Sequence, residues 1–194
     1  MHGEYTISGK HFHLAAIISS IEHDAWAVKD NQSKSSRMTG VLGEMFAAMH
    51  LETSAGRRSC IPQGLFQRTG LFSRNTLDRG DVIMVGKRKI KSRDYVKNYQ
   101  VDAVQQFEVK ATSTHHLRGL VDCNCVAEYA LRHVTSVLLV HVEVGAHTAT
   151  GTIDEVATPT DIMEWPQVET EGRMFYQSPM VKRKLDFEVN QDLK

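Results

Sequence analysis

The sequence has few cysteines and no long apolar run, and these absences exclude several classes of protein. Its 194 residues include three cysteines, Cys60, Cys123 and Cys125, and this odd number cannot build the disulfide framework of a small secreted domain. No apolar stretch approaches the about 20 residues needed to cross a bilayer. The first residues, MHGEYTISGKHFH, lack the basic and apolar regions of a signal peptide. We therefore expect a cytoplasmic protein with no membrane partner.

Proline is scarce, repeats are missing and the formal net charge is zero. The four prolines and 13 glycines do not cluster into linkers or low-complexity tracts. Zero net charge means that a global basic field cannot be invoked for nucleic-acid binding. Hydrophobic residues make up 41% of the chain and charged residues 24%, as in an ordinary globular protein. At this length we expect one domain, residues 1–194, with a real core.

Charge is nevertheless distributed unevenly along the chain. Residues 86–97, GKRKIKSRDYVK, carry six Lys or Arg against one Asp, whereas residues 154–171 are acidic. The basic stretch is either a solvated hairpin tip or a contact to the phosphate backbone, which sets affinity without reading sequence. The residues predicted to contact DNA phosphates are Lys87, Arg88, Lys89, Lys91 and Arg93.

Helical and strand patterns divide the chain into three parts. Apolar periodicity predicts helices over 12–28, from about Thr39 to 53, and over 120–133. Strands are predicted at 81–85, Ala103–Thr112 and Ser136–Val144. We expect a helical N-terminal part (1–53), a sheet core (80–145) and an irregular C-terminal part (146–194). The predicted fold class is α/β, with a mixed central sheet flanked by helices.

The residues that suggest chemistry lie on two of these strands. Residues two apart on a strand point to the same face, so Glu108 and Lys110 project together while their neighbours face the core. A charged pair on a strand of a small domain is costly unless it serves a purpose. Asp81 begins another predicted strand, and a hairpin pairing would bring its carboxylate beside Glu108.

This combination of residue types suits hydrolysis of phosphodiesters. That reaction needs a divalent metal that polarises the phosphate and lowers the pKa of the attacking water. Mg²⁺ prefers carboxylate oxygens and retains several waters, so one or two acidic side chains suffice. A neighbouring lysine can hold the water and stabilise developing negative charge. The sequence therefore predicts a Mg²⁺ site, at which Mn²⁺ can substitute.

The same residues resemble the active-site motif of the PD-(D/E)XK nuclease superfamily, which includes most type II restriction endonucleases. In that family an acidic residue on one strand and a Glu-x-Lys or Asp-x-Lys triplet on the next form the site. The resemblance implies metal contacts by Asp81, Glu108 and Val109 and catalysis by Lys110. It also implies a restriction-endonuclease-like fold and a supporting role for Glu44, in VLGEMFAAMH, as the acidic residue on an earlier helix.

The resemblance further implies the substrate and the partners. We expect Mg²⁺-dependent, sequence-specific hydrolysis of double-stranded DNA that leaves a 5′-phosphate. A homodimer is expected, because palindromic targets match two-fold symmetric proteins. The long interval from Asp81 to Glu108 leaves Asp94 and Asp102 as rival metal ligands, with Asp78 as a more distant one. Asp81 is preferred because it alone begins a convincing strand.

A second, narrower resemblance concerns the residues after the Glu-x-Lys triplet. Ser113, Thr114, His115 and His116 are similar to a Ser-Thr-His-His run that PvuII-like restriction endonucleases insert into the DNA major groove. A histidine can donate to guanine O6 or N7 there, so this resemblance predicts base readout by the two histidines. The alternative is a pair of exposed histidines without a role.

Three other functions remain open. One is a different nuclease of the same fold, for example a repair, recombination or phage enzyme. Another is a viral cap-snatching endonuclease, in which His50 is the histidine ligand, Mn²⁺ is preferred and RNA is cut. The last is a nucleic-acid-binding or coat protein that uses the basic stretch without catalysis, and it predicts salt-dependent binding without cutting.

Overall fold

A mixed sheet of six strands dominates the structure. The computed structural model describes residues 3–26, 33–55, 59–62, 81–85 and 103–192. Its elements in chain order are strand β1 (Gly3–Ser8), helix α1 (Gly9–Trp26), helix α2 (Lys34–Ala55), strands β2 (Ser59–Pro62), β3 (Val82–Val85) and β4 (Ala103–Thr112), a 3-10 turn (His115–Leu117), strand β5 (Leu120–Asp122), helix α3 (Cys123–Leu131), strands β6 (Ser136–Val144) and β7 (Thr148–Ala157), helix α4 (Pro159–Met163), strands β8 (Gln167–Thr170) and β9 (Arg173–Gln177) and helix α5 (Pro179–Asp192).

The strand order brings the two chemically interesting strands side by side. The large sheet runs β1-β7-β6-β4-β3-β2, and β5, β9 and β8 form a second, three-stranded sheet. β2, β3 and β4 pair antiparallel, whereas β4 and β6 are parallel. Parallel neighbours need a crossover connection, and the segment containing α3 supplies it. The predicted α/β class with a mixed central sheet and helices is therefore confirmed.

The two faces of the sheet contribute to separate hydrophobic cores. Phe107 and Val109 of β4 pack with α1 and α2 around the fully buried Phe46. On the other face, Val137 and Leu139 of β6 pack with residues of α3 and α4. Because successive side chains of a strand alternate, β4 contributes to the first core with its odd-numbered residues. Its even-numbered residues, Glu108 and Lys110 among them, are directed to the face that α3 covers.

Several predicted boundaries differ from the observed ones. The N-terminal part, predicted to be helical, begins with β1, which pairs with β7 at the sheet edge. Helix α2 begins at Lys34 instead of near Thr39, because the Ser33 hydroxyl accepts a hydrogen bond from the Ser36 amide at 3.1 Å and caps the helix. The C-terminal part, predicted to be irregular, contains β7, β8, β9 and two helices. Within 120–133, the first three residues form β5.

Helix α2 approaches β4 closely at Gly43, which gives a testable effect on stability. A Cβ atom at Gly43 would lie 2.3 Å from Ala111 Cβ, so Gly43→Ala forces the helix away from the strand. We expect a loss of about 1–3 kcal/mol in the free energy of unfolding, as for other overpacked cores. The measurement is urea unfolding followed by circular dichroism.

Gly40, one turn earlier on the same helix, is the matched control. A Cβ atom there would meet nothing within 4 Å. Gly40→Ala should raise stability by about 0.5–1 kcal/mol, because alanine loses less conformational freedom than glycine in a helix. Equal stabilities of the two variants would contradict the close packing of α2 on β4.

Candidate active site

Asp81 is attached to the strand that carries the Glu-x-Lys triplet. It immediately precedes β3, whose first residue, Val82, pairs with Phe107 of β4. Asp81 Oδ2 accepts a hydrogen bond from the Val109 amide at 2.8 Å. This bond satisfies an amide of β4 just beyond the end of the β3 pairing, and it holds the carboxylate between Glu108 and Lys110 along the strand.

Glu108 and Lys110 lie on the face of the sheet that α3 covers. Glu108 is 6% exposed and forms an ion pair with Arg132 at the end of α3. Lys110 Nζ lies 5.2 Å from the centre of the Tyr129 ring, within the range of a cation–π contact. The Tyr129 ring and the Arg132 guanidinium thus pack against Lys110 and Glu108.

The pKa of Tyr129 is affected by both acidic residues. Burial raises the pKa of the Tyr129 phenol far above its usual value, and the negative charges of Glu108 and Asp81 raise this pKa further, as does Cys125. Electrostatic interaction falls with distance, so the two carboxylates lie in the neighbourhood of the same ring. Glu108 and Lys110 therefore share one side of the sheet with Tyr129, and Asp81 is bonded to the strand between them.

The oxygen atoms of Asp81 and Glu108 are of a type that binds Mg²⁺. Asp81 and Glu108 offer carboxylate oxygens, and Mg²⁺ needs only one or two of these besides water and substrate oxygens. The Val109 side chain packs in the core on the opposite face, so only its main chain lies at the site. Among the described residues no group of three or more His, Cys, Asp or Glu side chains could hold a metal. The two carboxylates supply oxygen atoms of the kind that Mg²⁺ takes as ligands.

Glu44 lies on the helix that packs against the opposite face of β4 from Glu108 and Lys110. It is 2% exposed on α2, and α2 packs on the sheet face formed by Phe107, Val109 and Ala111. Glu108 and Lys110 point to the other face. The helix around Glu44 is present as predicted, and the supporting role of Glu44 stays a prediction.

A cleft opens at the carboxyl end of β4. Its volume is about 410 Å³, and Lys110 lies in its wall. Hydroxyl groups form much of the remaining lining, from Ser33, Ser36 and Thr39 at the start of α2 and from residues 112–114. Arg173 adds a second positive charge, while Asp154 and Glu171 add negative ones. Of the four predicted catalytic residues, Asp81, Glu108, Lys110 and Glu44, it is Lys110 that lines this cleft.

The Ser-Thr-His-His run forms an exposed turn beside this cleft. Ser113 and Thr114 line it, and Thr112 Oγ1 lies 3.1 Å from Thr114 Oγ1. His116 is 61% exposed, with Nε2 3.8 Å from Oε1 of Glu171. The imidazole of His115 is exposed too, which is a requirement for contact with another molecule.

Sequence reasoning missed a buried polar group beneath this turn. The His141 ring centre lies 5.4 Å from that of His115, and His141 is 5% exposed. Burial lowers the pKa of His141, and the positive charge of Arg118 lowers it further. Arg118 is itself buried and forms two hydrogen bonds with Asp154, at 2.7 and 2.6 Å. These residues lie in different elements, so no local pattern could have joined them.

Arg132 and Tyr129 were missed as well. Their spacing of three residues at the end of a predicted helix puts them on one face, and this was the one available signal. The rival ligands Asp78, Asp94 and Asp102 lie outside the described residues. So do the predicted phosphate contacts, Lys87, Arg88, Lys89, Lys91 and Arg93.

No helix within the described ranges combines the length and the apolar character required to cross a membrane. Comparison with protein-family models, with curated proteins and with solved structures gives no match for this chain.

Proposed function

We propose that this protein is a Mg²⁺-dependent nuclease with a restriction-endonuclease-like fold, and that Asp81, Glu108 and Lys110 are its active-site residues. The observation that carries the proposal is the hydrogen bond of 2.8 Å between the Val109 amide and Asp81. It joins the acidic residue before one strand to the Glu-x-Lys triplet on the neighbouring strand. This supports the proposal, because the PD-(D/E)XK motif combines an acidic residue on one strand with such a triplet on the next.

The reaction assigned to the site is hydrolysis of a phosphodiester. A water oxygen adds to phosphorus, the bond from phosphorus to the 3′ oxygen breaks, and the products are a 5′-phosphate and a 3′-hydroxyl, which receives a proton of the water. Bound Mg²⁺ would supply Lewis-acid polarisation of the phosphate and a more acidic water. Asp81 and Glu108 would hold the ion through their carboxylates.

The position of Lys110 supports the role proposed for it. Its ammonium group lies over the Tyr129 ring, and the residue lines the cleft, where the side chain would hold the attacking water and stabilise negative charge on the phosphate oxygens. The hydroxyl groups of the cleft are suited to phosphate oxygens, which accept hydrogen bonds from Ser and Thr side chains.

Double-stranded DNA is the proposed substrate, and a type II restriction endonuclease is the specific form of the proposal. His115 and His116 would then reach base edges from the exposed turn beside the cleft. A homodimer and a cytoplasmic location belong to the same proposal. A repair, recombination or phage nuclease would use the same three residues on other DNA substrates.

The cap-snatching alternative receives no support from the position of His50. Its Nδ1 atom lies 3.0 Å from the Tyr5 hydroxyl, and burial lowers its pKa. It lies on α2, on the opposite face of the sheet from Glu108. A binding protein without catalysis depends on residues 86–97, which lie outside the described part of the chain.

The proposal is tested by incubating the purified protein with phage-sized DNA in Mg²⁺, beside an EDTA sample and Lys110→Ala protein prepared identically. Discrete fragments that vanish in both controls are the expected result. A smear with the same controls keeps the nuclease and rejects the restriction assignment. Intact DNA in Mg²⁺ and in Mn²⁺, with RNA equally untouched, would reject catalysis.

A further inference from the structure

Arg132 occupies the active site, although the proposed reaction gives it no role. Its guanidinium forms an ion pair with Glu108 Oε1, and the two side chains are 20% and 8% exposed. A second bond joins Arg132 Nη1 to Glu128 Oε1 at 3.2 Å. Glu128 is 62% exposed, so Arg132 connects a buried carboxylate to one that lies in solvent.

The ion pair meets a need that a metal ion would also meet. A carboxylate as buried as Glu108 is costly unless a positive charge compensates it. The guanidinium supplies that charge here, and Mg²⁺ bound to the same carboxylate would supply it equally. Both cations at one carboxylate would repel each other strongly at such short range. Binding of one therefore opposes binding of the other.

We propose that Arg132 is a gate that Mg²⁺ must displace from Glu108. This inference rests on the proposed function. In the closed position Arg132 compensates Glu108. In the open position it keeps its bond to Glu128 and leaves Glu108 to the metal. The open position needs no new partner, because the bond to Glu128 already exists. Arg132 is a positioning residue in this scheme, since it acts through Glu108.

The location of the gate agrees with the shape of the cleft. Lys110 lines the cleft, whereas Glu108, two residues earlier on the same face of β4, lies beneath Arg132. Withdrawal of the guanidinium toward Glu128 would uncover Glu108, two residues from the lysine that lines the cleft. The gate thus couples exposure of the metal ligand to metal binding.

The two partners of Arg132 predict opposite effects on metal affinity. Arg132→Gln removes the competing cation, so metal should bind about tenfold more tightly, the equivalent of one charged hydrogen bond. Glu128→Gln removes the open position, so Arg132 stays on Glu108 and metal should bind several-fold more weakly. If Arg132 had a purely structural role, the two substitutions would leave the metal affinity unchanged or shift it in the same direction.

The test is titration of the full-length protein with Mn²⁺ without DNA, read by electron paramagnetic resonance of the free ion. Wild type is compared with Arg132→Gln, Glu128→Gln and Glu108→Gln. Arg183→Gln, at an exposed arginine on α5, is the control for loss of one positive charge. The substitution at the exposed Glu128 keeps the test decisive even if Arg132→Gln fails to fold.

The outcomes separate the gate from the nuclease. Tighter binding in Arg132→Gln and weaker binding in Glu128→Gln, with Arg183→Gln unchanged, supports the gate. Unchanged affinities in both, with binding lost in Glu108→Gln, would overturn the gate and keep the metal site. Wild-type affinity in Glu108→Gln, or no Mn²⁺ binding by any protein, would overturn the metal site and the gate with it.

Discussion

Asp81→Asn and Glu108→Gln should each lower the rate of DNA cleavage by about a thousandfold or more. Each substitution keeps the size of the side chain and removes the negative charge that would hold Mg²⁺. A bound metal stabilises the transition state by several kcal/mol. A change of about 1.4 kcal/mol in the activation free energy changes the rate tenfold. The measurement is single-turnover cleavage of a plasmid at saturating Mg²⁺, with protein in excess.

Glu4→Gln is the matched control for this pair. Glu4 is also a carboxylate on a strand of the large sheet, but it is exposed on β1, at the sheet edge away from β3 and β4. Its cleavage rate should equal that of wild type. If Asp81→Asn or Glu108→Gln cut DNA as fast as Glu4→Gln, those carboxylates would not be the metal ligands.

Arg118→Ala should lower the free energy of unfolding by about 3–5 kcal/mol, the effect of removing one partner of a buried ion pair. Arg118 and Asp154 side chains are 6% and 1% exposed, and two hydrogen bonds, at 2.7 and 2.6 Å, join them. Alanine would leave Asp154 buried with its main compensating charge removed. Urea unfolding at neutral pH measures the change.

Lys184→Ala provides the comparison, because Lys184 contacts the same carboxylate. Its Nζ atom lies 3.5 Å from Asp154 Oδ1, but its side chain is 41% exposed. Solvent screens such a pair, so the expected loss is below about 1 kcal/mol. A loss in Arg118→Ala no larger than this would show that Asp154 does not depend on Arg118. Replacing both Arg118 and Asp154 by apolar residues should recover much of the stability, since no unpaired charge remains.

The strands nearest the active site were the most predictable part of the fold. β4 and β6 have the predicted bounds, because each is a long run of alternating or apolar, β-branched residues. β1 and β5 were not predicted, since they are short and form strands by pairing with β7 and β9. β7 was not predicted either. Its residues alternate in burial, but it contains glycine and threonine, so its sequence lacks a clear alternation of apolar and polar residues.

The candidate site was predictable only where its residues are neighbours along a strand. Glu108 and Lys110 share a face because of strand geometry alone, and this follows from their spacing. The ion pair between Glu108 and Arg132 spans 24 residues and depends on how α3 crosses the sheet. The face on which Glu44 lies depends in the same way on the packing of α2, and no local pattern reports it.

The two faces of β4 carry different residues, so the alignment of β4 with its neighbouring strands decides which side chains enter the core. A slip of one residue exchanges the two faces of a strand. It would place Glu108 and Lys110 among the apolar residues of α1 and α2, and it would move Phe107 and Val109 to the face that α3 covers. The Asp81 hydrogen bond to Val109 and the parallel pairing with β6 both oppose such a slip. A misaligned chain would therefore lose its core and its candidate site in the same event, so the cleavage assay proposed above would report correct folding as well as catalysis.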